Sequence, residues 1–297
     1  MNPESVASFL RGRKVFDLGV ELFPGMPHVP THSPFMYQMV REHGDLMYGE
    51  GVSAAVDIFG MSCHTGTHLD GLGHFAKNLC LHKGQPVSGG QHKLEGLKTL
   101  GIERVAPVLG RGILLDVPAS QGVEILEPNQ VIGPKDLEAA AKAAKVQIQP
   151  GDVVLIRTGW MRLWPDQRKY YGVQTGQPGI NVEAARWATD QGAVCLGSDN
   201  FAVEVTPTAG NAHPVHIHCL VEKGVHLLEV ANMEELSRTK TYEFGLIMVP
   251  MKIRGGHRQP DPPAGRGVSR EKAAAAAVEG GEPLSKNNLT GEIPETA

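Results

Sequence analysis

The 297-residue sequence has little that suggests binding to nucleic acid or to a membrane. Its formal net charge is −4, and lysine and arginine never form a dense run, so nucleic acid is not an expected partner. Residues 1–13 lack the long apolar stretch of a signal peptide, and the longest later run, residues 244–250, is too short to span a bilayer. We therefore expect a cytoplasmic protein with no membrane partner that acts on a small molecule.

Cysteine is scarce, and the four cysteines form no Cys-x-x-Cys pair. This excludes a zinc ribbon and gives no sign of a disulfide framework. The sequence also lacks a Gly-x-Ser-x-Gly elbow and a phosphate-binding glycine loop. Neither a serine nucleophile nor a nucleotide site is therefore expected.

Residues 64–74 instead concentrate side chains that bind metals, in the run His-Thr-Gly-Thr-His-Leu-Asp-Gly-Leu-Gly-His. Imidazole and carboxylate are the ligands that Zn²⁺ and Mn²⁺ prefer. Because glycine and threonine disfavour a helix here, we predict an extended strand that enters a glycine-rich loop. On such a strand His64, His68 and Asp70 share one face, and we predict that they are metal ligands. His74 follows a turn and is the predicted general base.

A second candidate group lies farther along the chain. Residues 214–223 are predicted to form a short helix that begins at Pro214 and ends before Gly224, and residues 225–230 a buried strand. A carboxylate inside an apolar strand is costly unless it is paired or faces an ion, so Glu229 is a candidate functional residue. The alternative is an exposed edge strand with Glu229 in solvent.

The motif also matches a family. The run from His64 to Phe75 resembles the His-x-Gly-Thr-His-x-Asp-x-Pro-x-His-Phe signature of the metal-dependent cyclase family, which includes kynurenine formamidase and isatin hydrolase amidohydrolases. Leu72 stands in place of the signature's proline. The resemblance covers roughly residues 14–254. It implies three metal ligands, the two histidines and the aspartate named above, and an acid/base role for His74, which in some members also binds a second ion.

The resemblance further implies a histidine that approaches the metal centre from the opposite side, paired with a glutamate such as Glu229. His216 and His218 both fit by distance, but on a helix they lie about 200° apart, so only one can face the site. We choose His216, with His218 as the alternative, and expect His213 and His226 to be ordinary polar residues. The chosen pair would orient water, stabilise the tetrahedral intermediate or complete a second metal site.

Substrate contacts are predicted from aromatic residues. Trp160 and Trp164 follow an Arg-Thr-Gly turn, and indoles beside a polar centre could stack on a planar amide. Phe23 is a third candidate for this role. Packing in the core is the alternative for the two indoles.

The order of segments predicts the fold class. Short apolar runs that favour strands alternate with helical segments at residues 134–145 and 182–191, which indicates a mixed α/β domain. The resemblance implies a swivelling β/β/α-type single domain with a β-rich core and flanking helices over residues 1–254. Residues 255–297 are rich in glycine, proline and alanine and are predicted to be an extension with little core of its own.

These expectations combine into a metal-dependent hydrolase of a small amide, formamide, cyclic amide or lactone. One or two Zn²⁺ or Mn²⁺ ions would activate water, with His74 as the base. A cyclase or dehydratase at the same site stays open, as does a non-catalytic metal-binding module in which His74 is a fourth ligand. Proteins of similar fold commonly associate, so we expect a homo-oligomer.

Overall fold

The computed structural model of the chain describes residues 12–172, 174–260 and 264–267. Its strands are β1 (Val15–Asp17), β2 (Met36–Arg41), β3 (Val56–Gly60), β4 (His68–Asp70), β5 (Gln91–His92), β6 (Gly96–Leu97), β7 (Val108–Asp116), β8 (Val131–Ile132), β9 (Val153–Arg157), β10 (Gly179–Ile180), β11 (Cys195–Ser198), β12 (His226–Glu229), β13 (Glu243–Met248), β14 (Arg258–Pro260) and β15 (Ala264–Gly267). Its helices are α1 (Val117–Gln121), α2 (Pro134–Ala144), α3 (Gln167–Tyr171), α4 (Val182–Asp190), α5 (Pro214–His216), which continues as a π-helix over Ile217–Lys223, and α6 (Glu234–Arg238).

A large mixed sheet forms the centre, in the order β1-β15-β13-β7-β9-β11-β12-β4-β14. Strands β7, β9, β11 and β12 are parallel, and β4 is antiparallel to both of its neighbours. The middle strand β9 is buried along its whole length and is almost entirely apolar, as expected where both faces of a sheet are covered. Strands β2 and β3 form a separate antiparallel hairpin.

The core fills both faces of this sheet. Because side chains alternate along a strand, Ile113 and Leu115 of β7 contribute to one cluster and Leu114 to the other. The first cluster packs against the alanine-rich faces of α2 and α4, and the second contains Phe16 and Phe244. Within the described part of the chain, no helix has the length and apolar character needed to cross a bilayer.

The architecture confirms the predicted mixed α/β fold with a β-rich core and flanking helices. Helices α2 and α4 begin at the predicted residues, each just after an extended residue. Each ends one residue before the predicted position. For α2 this is because Lys145 already has a left-handed φ of 55° and caps the helix.

Residues 258–260 and 264–267, which lie in the predicted extension with little core of its own, add two strands to the central sheet. Strand β14 pairs with β4, and β15 lies between β1 and β13. Pairing in a sheet uses backbone groups, so a composition rich in glycine and proline did not reveal it. The domain division at residue 254 was a sequence-based prediction and stays one, and residues 268–297 lie outside the described residues.

Candidate metal centre

The histidine-rich motif folds as a turn followed by a short strand, not as the continuous strand predicted. Gly66 has a φ of 72°, in the left-handed region that favours glycine, so the chain turns there and only His68 and Asp70 lie on β4. His64 lies before the turn, and its ring centroid is 5.5 Å from that of His68. The prediction that one strand face carries all three residues was wrong. His64, His68 and Asp70 still converge, because their candidate ligand atoms lie within 4.8 Å of one another.

Hydrogen bonds hold this turn in place. The Thr67 hydroxyl donates to the carbonyl of Val230 at 2.6 Å and accepts from the backbone N–H of Val20 at 3.0 Å. His68 Nδ1 donates to the Gly66 carbonyl at 2.8 Å, which directs its Nε2 away from the turn. The motif is thereby tied to the end of β12, where the parallel strands of the sheet also end.

Glu229 lies inside the sheet and not on an exposed edge. Strand β12 runs between β11 and β4, with Glu229 opposite His68, and the Glu229 side chain is only 2% exposed. His68 Nε2 lies 3.0 Å from Glu229 Oε2, and His216 Nε2 lies 3.2 Å from Glu229 Oε1. His216 Nε2 also lies 3.7 Å from Asp70 Oδ2. The two segments therefore meet around one buried point.

Helix α5 presents His216, and not His218, to this point. The helix begins at Pro214 and ends at Lys223, just before Gly224, as predicted. His218 points elsewhere, with its Nε2 3.0 Å from the Thr189 hydroxyl. His226 Nδ1 hydrogen-bonds the backbone carbonyl of Asp70 at 2.8 Å, an ordinary structural role as expected.

Glu204 is a buried partner of His216 to which the sequence assigned no role. Its Oε1 accepts a short hydrogen bond from His216 Nδ1 and lies 3.4 Å from His213 Nδ1, and its Oε2 accepts from the Val215 N–H at 3.1 Å. His213 thus belongs to the edge of the site, contrary to the expectation of an ordinary polar residue. The available signal was an acidic residue that interrupts the apolar run at residues 201–205.

Burial and charge shift the pKa values of these groups. Burial alone would lower the pKa of His216, but its bonds to Glu204 and Glu229 raise it to about 10. Burial alone would raise the pKa of Glu204, but bonds from His213 and His216 lower it to about 2. Burial, together with the charge of Glu229, raises the pKa of Asp70. Three carboxylates therefore share one buried cluster.

The residues present fit a divalent cation. Carboxylates buried beside one another are costly, and a cation between them would offset that cost. His64 Nδ1 is buried and has no hydrogen-bond partner among the described residues, as expected of a nitrogen available to a metal. Asp70, His74 and His216 form a second group whose candidate ligand atoms lie within 4.8 Å of one another.

His74 lies on the open side of this cluster. Its backbone N–H closes the predicted turn by donating to the Gly71 carbonyl at 3.0 Å. Its ring centroid lies 4.7 Å from that of His64 and 6.2 Å from that of His216. Burial, and then the neighbouring histidines, lower the pKa of His74 well below its usual value. The ring is therefore neutral near pH 7, the form that accepts a proton or binds a cation.

A cavity of about 640 Å³ opens beside the cluster. His64, His74, His216 and Glu229 line it together with Phe75, Phe201, Gln177 and His213. Its size suits a small ligand, and one wall carries the candidate ligands and base. The cluster is thus buried on one side and accessible on the other.

The predicted aromatic contacts do not line this cavity. Trp160 is buried in a core cluster, and its indole N–H donates to the Tyr170 carbonyl at 2.6 Å. Trp164 packs edge-on against Tyr170 at 5.1 Å between ring centroids and against Phe23 at 6.5 Å. Phe23 lines a separate apolar cavity of about 330 Å³. Core packing, the alternative for the two indoles, therefore describes their positions better.

Two further histidines come near the cluster from distant parts of the chain. The His32 ring centroid lies 4.9 Å from that of His64. The His257 ring centroid lies 5.3 Å from that of His64 and 5.4 Å from that of His74. Neither carries a local motif, because only the folded chain brings it to the site.

Comparison with known proteins identifies the family of the chain. Residues 16–205, more than half of the chain, match the model of the Cyclase family. The chain belongs to the Cyclase family. None of the curated protein sequences compared with the chain matched it.

Solved structures share the Cyclase-family fold. The crystal structure of a novel cyclase has a TM-score of 0.79 and 28% identity over 89% of this chain and 91% of that one. Isatin hydrolase A from Labrenzia aggregata has a TM-score of 0.68 and 18% identity, covering 90% and 99%. A potential metal-dependent hydrolase with cyclase activity has a TM-score of 0.56 and 18% identity, covering 86% and 100%. At these last two identities the likeness concerns the fold alone.

Proposed function

We propose that this Cyclase-family chain is a metal-dependent hydrolase of a small amide, formamide, cyclic amide or lactone. The observation that carries the proposal is the convergence of His64, His68 and Asp70 on one buried point beside an open cavity. The similarity of fold to an isatin hydrolase and to a potential metal-dependent hydrolase supports the same reaction class.

The donor set indicates which residues would hold the cation. His64, His68 and Asp70 would bind the first ion. Asp70, His74 and His216 are the candidates for a second, and His74 can act as the base only while no ion occupies its nitrogen. Nitrogen and carboxylate donors together suit Zn²⁺ or Mn²⁺. A divalent cation bound there would act as a Lewis acid toward a substrate carbonyl and would lower the pKa of water.

His74 is placed to move the proton. It borders both the cluster and the cavity, and its lowered pKa keeps the ring neutral near pH 7. A neutral imidazole can accept a proton from the attacking water and then deliver it to the leaving nitrogen or oxygen. In this proposal His74 is the general acid/base.

His216 and Glu229 would orient the reacting groups. Glu204 accepts from His216 Nδ1, so that His216 Nε2 points at Asp70 and Glu229. A fixed imidazole of this kind can stabilise negative charge that develops on the substrate oxygen. Glu229, which contacts both His68 and His216, would fix the orientation of the two imidazole rings relative to each other.

The cavity supports turnover over the alternative of a closed metal-binding module. Structural metal sites are closed, whereas catalytic sites keep an open position. Phe75 and Phe201 line the cavity and could pack against the planar part of a substrate. The reverse reactions, cyclisation and dehydration, would use the same groups, so the substrate screen decides among them.

The test combines metal analysis with a substrate panel. The protein is purified without added metal, its Zn and Mn contents are measured, and N-formyl compounds, cyclic imides, lactams and lactones are assayed. We expect turnover that the His74→Ala variant loses by at least about 100-fold, the lower range of general acid–base effects. That variant should keep the first ion, and the His92→Ala variant, in the exposed strand β5, should keep full activity. Intact activity in His74→Ala would contradict the assigned base, and a metal-loaded protein without turnover would favour the metal-binding module.

A homo-oligomer stays part of the proposal. Met36, Tyr37, Ile58 and Phe59 on the β2–β3 hairpin are each between 46% and 58% exposed. Tyr37 and Phe59 are partners on one face of the hairpin, and Met36 and Ile58 lie on the other. Exposed apolar side chains of this kind favour association. Light scattering coupled to size-exclusion chromatography measures the state, and a monomer at all accessible concentrations would contradict it.

A further inference from the structure

His257 reaches the proposed metal centre because the chain just before it is held firmly. The N–H of Leu97 donates to the Gly255 carbonyl at 2.8 Å, and the N–H of Ile102 donates to the Gly256 carbonyl at 2.6 Å. The Gly71 N–H donates to the carbonyl of His257 itself at 3.0 Å. Three consecutive residues are thus fixed by backbone hydrogen bonds to other segments.

Glycine at position 71 permits this close approach. A Cβ atom there would lie 3.0 Å from the His257 carbonyl oxygen, closer than side chains ordinarily come to backbone atoms. Strand β14, which follows directly, pairs with β4 and places residue 258 opposite Asp70. The position of His257 is therefore a built feature of the sheet edge.

The three imidazoles of His64, His74 and His257 form a compact group. Their ring centroids are separated by 4.7, 5.3 and 5.4 Å, and candidate ligand nitrogens from all three lie within 4.8 Å of one another. The candidate ligand atoms of His64, His68 and Asp70 lie within the same distance of one another. Because His257 is exposed, the group faces solvent on one side.

We propose that His64, His74 and His257 form an additional divalent-metal site at the outer edge of the candidate centre. Three neutral imidazoles suit Zn²⁺, and three protein ligands leave a coordination position open to solvent. His257 is the ligand unique to this site, since His64 and His74 also belong to the other two groups, and an outer ion competes with the inner ions for those two imidazoles. Its removal therefore tests the outer site with the least effect on the inner ones.

The outer site has a consequence that rests on the proposed function. His74 cannot accept a proton while its nitrogen binds a cation. Zn²⁺ in the outer site would therefore block the general base, and excess Zn²⁺ would inhibit the hydrolase. The site itself does not depend on the reaction being hydrolysis.

The first experiment counts ions. Full-length protein is stripped with a chelator and titrated with Zn²⁺, with binding followed by calorimetry and by elemental analysis after gel filtration. The wild type and His92→Ala are expected to show an added, weaker binding step at excess Zn²⁺, and His257→Ala is expected to lose that step. Equal stoichiometry and affinity in His257→Ala and the wild type would overturn the proposal.

A second variant covers the case in which His257→Ala does not fold. Cysteine is also a ligand for Zn²⁺ and Co²⁺, so His257→Cys is expected to keep the wild-type stoichiometry. With Co²⁺ it should show a thiolate-to-cobalt charge-transfer absorption that the wild type lacks. Absence of that band in the folded, Co²⁺-saturated variant would equally overturn the proposal.

An activity measurement separates this inference from the proposed function. Excess Zn²⁺ is expected to inhibit the wild type and His92→Ala but not His257→Ala. Persistent inhibition of His257→Ala would contradict the blocking of His74. If no variant turns over any substrate, the proposed hydrolase fails, while the Zn²⁺ titration of the wild type and His257→Ala still decides whether the outer site exists.

Discussion

The Glu204→Gln variant is the most informative test of how the site is organised. Glu204 is buried, its pKa is lowered to about 2, and it accepts from His216 Nδ1. The glutamine amide has nearly the same shape but carries no charge, so it cannot balance a protonated His216 or fix the ring as firmly. Removing such a partner of a metal-site histidine typically costs 10–100-fold in metal affinity or activity, about 1.4–2.7 kcal/mol.

The assay is a metal titration against a competing chelator, together with turnover of the substrate found in the panel. Glu222→Gln is the matched control, because Glu222 lies in the same helical segment as His216, 3.7 Å from His218, and its side chain is 41% exposed. We expect Glu204→Gln to lose at least about ten-fold in one of the two measurements and Glu222→Gln to lose almost nothing. If both variants stay within about two-fold of the wild type, our account of His216 orientation is refuted.

Three further variants or conditions test the account. Gly66→Ala and Gly122→Ala both force alanine into a left-handed φ, 72° and 75°, but only at Gly66 would the Cβ atom meet another atom within 4 Å. Each variant should lose about 1–2 kcal/mol of unfolding free energy measured in urea, with a larger loss and weaker metal binding at Gly66 alone. Equal effects of the two substitutions would contradict the crowding at Gly66. Arg157→Met removes a buried guanidinium that pairs with two carboxylates and should cost about 3–5 kcal/mol of unfolding free energy. Arg162 is half-exposed, so Arg162→Met should cost less than about 1 kcal/mol. Similar losses in the two variants would be evidence against the buried pairing. In metal-free protein the raised pKa of His216 stabilises the fold fully below pH 6.5, and this contribution disappears as pH rises through about 10. The unfolding free energy should therefore fall over that pH window more in the wild type than in His216→Gln. Parallel pH profiles of the two proteins would contradict this prediction.

Local spacing allowed much of the fold and part of the site to be predicted. The helix from Pro214 to Gly224 follows from its proline start and glycine end, and the burial of Glu229 follows from the apolar residues around it. The angular step of a helix indicated that only one of His216 and His218 could face the site, and the choice of His216 came from the Pro-Val-His pattern of the family resemblance. These features depend on neighbours in sequence, which is why a single chain reveals them.

Other features depend on contacts between distant segments. The chain turns at Gly66, and the Thr67 hydroxyl ties the motif to Val230 after β12, a distant contact that spacing within the motif does not reveal. His257 comes to the site through a backbone pairing that has no apolar pattern. The indole of Trp160 is buried by the packing around it, and an isolated aromatic residue gives no sign of which side it faces.

We propose above all that His64, His68 and Asp70 bind one cation beside an open cavity. The most direct measurement is a crystal structure of the Zn²⁺- or Mn²⁺-loaded protein, with the ion located by anomalous scattering. Our account predicts a peak at about 2.0–2.2 Å from a ligand atom of each of these three residues. A fully loaded crystal with no peak among them, or with a peak only at another site, would contradict it.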